Sequence, residues 1–325
     1  MTALSDNTRG ALFMCLSMAG FGINDGFIKL AFEDLPLAEA IAIRGIFATF
    51  LLAMIAWSSG AFRARPGPRD RRFVALRTVG EVGATASFLV AISQLPIADA
   101  TAVLQAAPLA VTMAAALILG EHVGWRRWTA ILVGFVGVVV MVRPFTDAFT
   151  LWAMLPVVTV CFIALRDLIT RSISKAVPAA LASTVTGTTI TLIAIALIPF
   201  NGWVTPDPMH LAMLATSSGF LVVGYLFAVS AMRVGDVSAV SPFRYTVLLW
   251  AIVVGFVLFG DVPDTYTIVG AALVTGAGLY TLWREQIRGR SRTAARAPAH
   301  PFDAPRLAHP EPDAESVGRT RYSAP

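Results

Sequence analysis

Long apolar runs broken by short polar or Pro/Gly stretches dominate this chain, and their lengths decide what they are. Ten runs stand out, at 10–32, 36–58, 72–95, 99–119, 125–143, 150–171, 178–199, 209–232, 237–259 and 264–284. Each is about 20 residues, enough for a helix to cross a hydrocarbon core about 30 Å thick. The breakers between them, "RARPGP", "NGWVTPDP" and "GDVPD", are short and rich in Pro and Gly, as tight connections between neighbouring spans require. The pattern predicts an all-α membrane protein with ten transmembrane helices.

Composition agrees. Of the 325 residues, 56% are hydrophobic and 14% charged, with a mean hydropathy of +0.71. A soluble domain carries about 25% charged residues, so the polar surface needed to cover a soluble multidomain enzyme is missing. The net charge of +5 is not read as a nucleic-acid footprint, because its basic residues fall in connections and the tail. The apolar run from Gly10 is too long for a cleavable leader and reads as a retained anchor. Cys15 and Cys161 lie inside apolar runs, so neither a disulfide framework nor a metal site is expected. The absence of any N-x-[ST] sequon fits a bacterial protein.

Basic residues set the expected orientation. Arg63, Arg65, Arg69, Arg71, Arg72, Arg126, Arg127, Arg171, Lys175 and Arg233 fall in alternate connections, and Arg284, Arg288, Arg290 and Arg292 follow the last run. The other connections hold Arg143 as their one clear basic residue and carry Glu33, Asp34, Asp99, Asp147, Asp207, Asp261 and Asp264. The positive-inside rule places both termini in the cytoplasm, which an even number of spans demands. Residues 285–325 are rich in Ala, Pro and Arg without apolar periodicity and read as a disordered cytoplasmic tail.

An internal repeat is visible. "SQLPIADATAV" (93–103) can be laid on "SAMRVGDVSAV" (230–240), pairing Asp99 with Asp236, and "ILGEHV" around Glu121 resembles "LFGDVP" around Asp261 after a three-residue shift. Each half then holds five spans. Five is odd, so the second half enters the membrane in the opposite sense. The expected architecture is two inverted five-helix repeats around a central cavity, with the substrate site near midplane.

The five-plus-five layout, the "GE" and "GD" ends of spans four and nine, and "ADATAVLQAAPLAV" beside "GDVSAVSPFRYTVLLW" resemble the drug/metabolite transporter superfamily, specifically its EamA-type domain. The resemblance covers residues 10–284, as one repeat over 10–143 and a second over 150–284. It implies a transporter of amino acids, nucleotide-like compounds, vitamins or other metabolites.

Charges inside the spans supply the candidate site. A charge at the centre of a membrane helix costs about 2.5–3.5 kcal/mol on insertion scales, so each needs a partner or a wet cavity. Asp25 lies ~15 Å from the outer end of span one by helical rise, Lys29 is one turn beyond it, and Arg44 sits at similar depth on span two. With Asn24 these are expected to form one outward-half cluster, either a site or a static lock between the two spans. Arg77 and Glu81 form an i,i+4 pair on span three, read as a structural pair or as cavity residues. Arg166 and Asp167 lie in the inner part of span six. Arg244, in a span with no acidic residue, is expected to face the cavity. Tyr225, Tyr245 and Trp250 are aromatic candidates for its wall, whereas Trp152 and Trp203 read as interfacial belt residues. Pro108 and Pro242 are expected to free backbone groups in spans four and nine.

The functional expectation is a secondary transporter of a small, amino-acid-like metabolite, with Asp25 or Glu81 as a proton-linked carboxylate. A vitamin or nucleoside-like compound, such as riboflavin or S-adenosylmethionine, is the alternative substrate. A membrane enzyme is disfavoured because the four histidines fall in connections or the tail and no H-E-x-x-H motif occurs. A passive channel is disfavoured because no filter-like segment is present. No P-loop appears, so no ATP-driven step is expected. The expected partners are a small-molecule substrate and the lipid bilayer, with no cofactor, no metal and no nucleic acid; the oligomeric state is left open.

Overall fold

A computed structural model of the chain describes residues 5–296 apart from His122, Phe145, Ala148 and Lys175. It contains ten helices long and apolar enough to cross a membrane: α1 Asp6–Asp34, α2 Leu37–Ser58, α3 Pro68–Gln94, α4 Ile97–Ile118, α5 Trp125–Val142, α6 Leu151–Thr170, α7 Ala179–Asn201, α8 Pro208–Val234, α9 Ser241–Phe259 and α10 Thr265–Arg296, whose apolar part ends at Arg284. These match the ten runs to within a few residues. Residues up to Gln286 form one compact unit. The tail expectation is corrected at its start, because the helix continues through 285–296; residues 297–325 lie outside the described residues.

Local chemistry explains the ends. Ser5 caps α1 by accepting from the Thr8 amide at 3.2 Å, and Asp207 and His210 form a reciprocal capping box on α8. Gly60, Gly120, Gly202 and Gly260 have φ between 67° and 90° and close α2, α4, α7 and α9, a conformation that a side chain disfavours. Two helices are broken where proline was expected to interrupt them. In α4 the helical pattern lapses at Gln105 and Ala106, just before Pro108, and α9 opens with a tight turn, Ser241–Tyr245, that contains Pro242. The Gln105 side-chain amide donates to the Tyr245 carbonyl at 3.0 Å, so one break satisfies the other.

Packing runs between the halves of the chain. Helix α1 packs on α8 and α9, α3 on α6 and α7, α2 on α7 and α8, and α4 on α6 and α9; α5 meets α10 where Gly137 and Gly270 bring their backbones together. Exchanging every helix with the one five places along maps this set of contacts onto itself. The α2–α7 crossing is the tightest case. A Cβ on Gly45 would lie 2.4 Å from Thr191 Oγ1, a Cβ on Gly187 would lie 3.1 Å from Thr49 Oγ1, and the two threonine hydroxyls are 3.3 Å apart. Each helix thus offers Gly-x-x-x-Thr to the other, the small-residue approach that membrane helices use in place of hydrophobic driving force.

The exterior is apolar. Phe50, Trp57, Leu117, Ile118, Leu132, Leu192, Phe200, Phe256 and Val257 are exposed, as a surface facing lipid demands. By contrast, Asn24, Glu39 and Arg44 are buried. Trp152 and Trp203 are exposed near helix ends, where belt residues stand. At α2–α7 we expect Gly45→Leu to destabilise the protein by about 1–3 kcal/mol through overpacking. Gly219→Ala, where a Cβ meets nothing within 4 Å, should change thermal unfolding in detergent very little.

Candidate functional site

One face of the bundle carries the α2–α3, α4–α5, α6–α7 and α8–α9 connections and is arginine-rich; the opposite face is acidic. A cavity of about 850 Å³ occupies the half nearer the arginine-rich face. Its wall draws on α1, α2, α3, α6, α7, α8 and the start of α9, and it reaches as deep as Arg44.

Four charged residues form a continuous network on the α3–α6 wall. Glu81 lies 3.4 Å from Arg77 and 3.1 Å from Arg166, and Arg166 also donates to Asp167 at 2.8 Å. Arg77 further donates to the Thr186 hydroxyl at 3.1 Å. At the deep end, the Arg44 guanidinium donates twice to Asn24 Oδ1, at 3.0 and 3.2 Å, while the Asn24 amide donates to Asp25 at 2.8 Å. Ser217 donates to the same Asn24 oxygen at 3.0 Å. These contacts answer the insertion penalty: every one of these buried ions has an oppositely charged or hydrogen-bonding neighbour, or an edge in the cavity.

The acidic-face half is closed. Ile28, Ala31, Leu35, Ala40, Leu89 and Ile92 pack into a core there. Above them Lys29 donates to the Leu95 carbonyl at 2.8 Å, lies 3.6 Å from Asp261 and stands over the Phe259 ring. Thr267 donates to Asp99 at 2.9 Å, and Arg143 pairs with Asp264. Partial burial works to raise the Asp264 carboxyl; hydrogen bonds from Thr267 and Arg143 outweigh it and hold it below the usual carboxylate range. Buried Glu39 accepts from the Val204 amide at 2.9 Å, pinning the α7–α8 connection.

The structure separates the sequence-derived candidates. Arg44, Glu81, Tyr225 and Arg244 line the cavity. Asn24 and Asp25 stand behind Arg44 as its support. Lys29 is corrected: it leaves the expected cluster with Arg44 and belongs to the closure on the acidic face, because the Leu95 carbonyl and Asp261 draw it there. Tyr245 and Trp250 are corrected too, for they are not among the cavity-lining residues. Tyr245 is buried with its ring against Gly278, and Trp250 packs over Gly22 beside Met14 and Met18. Sequence reasoning weighed Arg77 only as the structural or cavity partner of Glu81 and did not include Arg166, Asp167, Arg233, Met14, Met18 or Thr186 in the site, nor Asp261 as the partner of Lys29.

A signal for much of this is present in the sequence at a spacing of 142 residues, that of Thr49 and Thr191. At this spacing Asp25 meets Asp167, Lys29 meets Arg171, Pro36 meets Pro178, Gly45 meets Gly187 and Gly60 meets Gly202. From α3 onward the spacing is 140, that of Gln105 and Tyr245; Pro68 then meets Pro208, Gly120 meets Gly260 and Glu121 meets Asp261. In this register Asp99 falls opposite Ala239 and Glu121 opposite Asp261, while the pairing of Asp99 with Asp236 belongs to a register three residues away. Contacts obey the same rule. Lys29–Asp261 on the acidic face has its equivalent in Arg171–Glu121 on the arginine-rich face, at 3.1 Å. Thr78···Thr186 likewise corresponds to Ser218 donating to the Arg44 carbonyl.

A bundle of ten apolar helices around a cavity lined in part by charged side chains is an architecture suited to a multi-pass membrane transporter. Residues 8–143 match the EamA-like transporter family. The chain is 27% identical to a protein of Rickettsia prowazekii named "S-adenosylmethionine uptake transporter", over 87% of this chain and 96% of that protein. Identity is 29% to a "Riboflavin transporter" of Vibrio cholerae, over 62% of this chain and 68% of that one. To the "Pseudopaline exporter CntI" of Pseudomonas aeruginosa it is 25%, over 82% and 94%. A crystal structure with 17% identity superposes with a TM-score of 0.59, covering 86% of this chain and 99% of that chain, and shares the fold.

Because Glu81 serves two guanidinium groups, Glu81→Ala should lower thermal stability far more than Arg72→Ala on the exposed start of α3. Unfolding in detergent, followed by tryptophan fluorescence, checks this.

Proposed function

We propose that this chain is a secondary transporter of the bacterial inner membrane. In this reading two five-helix repeats, 10–143 and 150–284, are inserted in opposite senses with both termini cytoplasmic, and a small metabolite crosses by alternating access. The observation that carries the proposal is the pair of equivalent ionic closures. Lys29–Asp261 is shielded, its side chains 15% and 28% exposed, and Arg171–Glu121 is open to solvent, at 49% and 52%. Exchanging the conformations of the two halves would turn one closure into the other, sealing the arginine-rich face and opening the acidic one. The arginine-rich face is assigned to the cytoplasm by the positive-inside rule, so the cavity described is open inward.

The first substrate class is an amino-acid-like metabolite, whose ammonium and carboxylate match the mixed charges of the wall. The second is a vitamin or nucleoside-like compound; it is supported by relatives named for S-adenosylmethionine and riboflavin. S-adenosylmethionine itself carries an amino-acid head, so the readings overlap. Asp25, held by Asn24 behind Arg44, is proposed as the carboxylate that links transport to protons.

Reporter fusions in the Arg63–Arg72 connection should report the cytoplasm; a periplasmic signal would overturn the topology. In proteoliposomes loaded with candidate metabolites, Asp25→Asn should abolish stimulation by a proton gradient while leaving membrane expression intact. Lys29→Glu should slow transport at least tenfold, and combining it with Asp261→Lys should restore much of the rate. Failure of that rescue would remove the pair from the closure.

A further inference from the structure

Five arginines line the cavity, Arg44, Arg77, Arg166, Arg233 and Arg244, against two carboxylates, Glu81 and Asp167. Both carboxylates are already engaged, by Arg77 and Arg166, and Arg44 has Asn24 and, beyond it, Asp25. Among the described residues Arg233 and Arg244 have no ion pair. They stand at the last turn of α8 and the first turn of α9, on one wall of the same cavity.

The scaffold accounts for one of these two charges and not for the other. At the 140-residue spacing their counterparts in the first half are Ser93 and Leu104, so neutral residues serve the same positions of the fold. Arg233 suits the end of α8, where a cation faces the negative pole of the helix. Arg244 does not, because it adds a positive charge to the positive pole of α9. A guanidinium at a helix N-terminus, turned into a cavity, concentrates positive potential where an anion can reach it. The same cavity is lined by Met14, Met18 and Met232, flexible apolar side chains that adapt to irregular ligands.

We propose that Arg233 and Arg244 form an anion subsite, and that the ligand is an amphipathic organic anion. Its carboxylate or phosphate sits on the two guanidinium groups and its apolar body lies against the methionines. This rests on the transporter reading for the purpose of the cavity, but binding can be measured apart from transport.

Indole-3-acetate and its neutral twin indole-3-acetamide serve as probes, with the full chain in nanodiscs of phosphatidylcholine. Binding is read by thermophoresis at two salt concentrations. The acetate is expected to bind at least tenfold more tightly than the amide, an advantage that falls with salt. Arg244→Gln and Arg233→Gln should each weaken acetate binding about tenfold and leave amide binding unchanged, while Arg72→Gln should affect neither. Equal binding of the two probes, or acetate binding indifferent to both variants, overturns the proposal. Adding phosphatidylglycerol distinguishes the source of the anion: loss of acetate binding would assign the subsite to a lipid headgroup and overturn a soluble ligand. Loss of this probe preference with metabolite transport intact would sink the subsite alone; the reverse result would leave the subsite and sink the transporter reading.

Discussion

An ion in hydrocarbon must be answered by another polar group or by water, and this requirement organises the whole bundle. Arg44 is the deepest case. It is 8% exposed, and its hydrogen bonds to Asn24 recruit Asp25 from α1 and Ser217 from α8 into one connected group. That group ties the first half of the chain to the second at the closed end of the cavity. Removing one member leaves the others buried without their partners, so the cluster is conserved in geometry by its own energetics. The Glu81–Arg166 network does the same between α3 and α6, nearer the open end.

The ten helices were legible because length and hydropathy alone separate a span from a connection, and the structure moves their limits by only a few residues. The site was legible in part. A charge in an apolar run flags itself, which is why Arg44, Glu81 and Arg244 were found. The direction a charge takes is not written locally. Lys29 lies one turn from Asp25, yet it reaches away toward a carbonyl and a carboxylate supplied by two distant connections, Leu95 and Asp261. Tyr245 and Trp250 misled for a similar reason, since the broken start of α9 turns them into the packing instead of the cavity.

The likeness between the two halves is carried by a few positions. Pro, Gly and Asp recur between the halves where backbone geometry or a buried charge constrains them, while the lipid-facing residues between these positions are interchangeable apolar types. Comparison of long segments therefore finds little, and the 142-residue spacing emerges only from Asp25, Pro36, Gly45, Thr49 and Gly60 taken together. The contacts add what the letters lack: Gly45 against Thr191 and Gly187 against Thr49 can both hold only if α2 and α7 run antiparallel at that crossing.

The two equivalent ionic contacts differ in their surroundings, and the difference has an energetic sense. Lys29 is wrapped by a carbonyl, a carboxylate and an aromatic ring, whereas Arg171 and Glu121 meet in water, where a pair is worth little. The shielded contact is therefore the costlier of the two to break. The hollow in this structure is reached from the arginine-rich side, where its guanidinium groups line the way in.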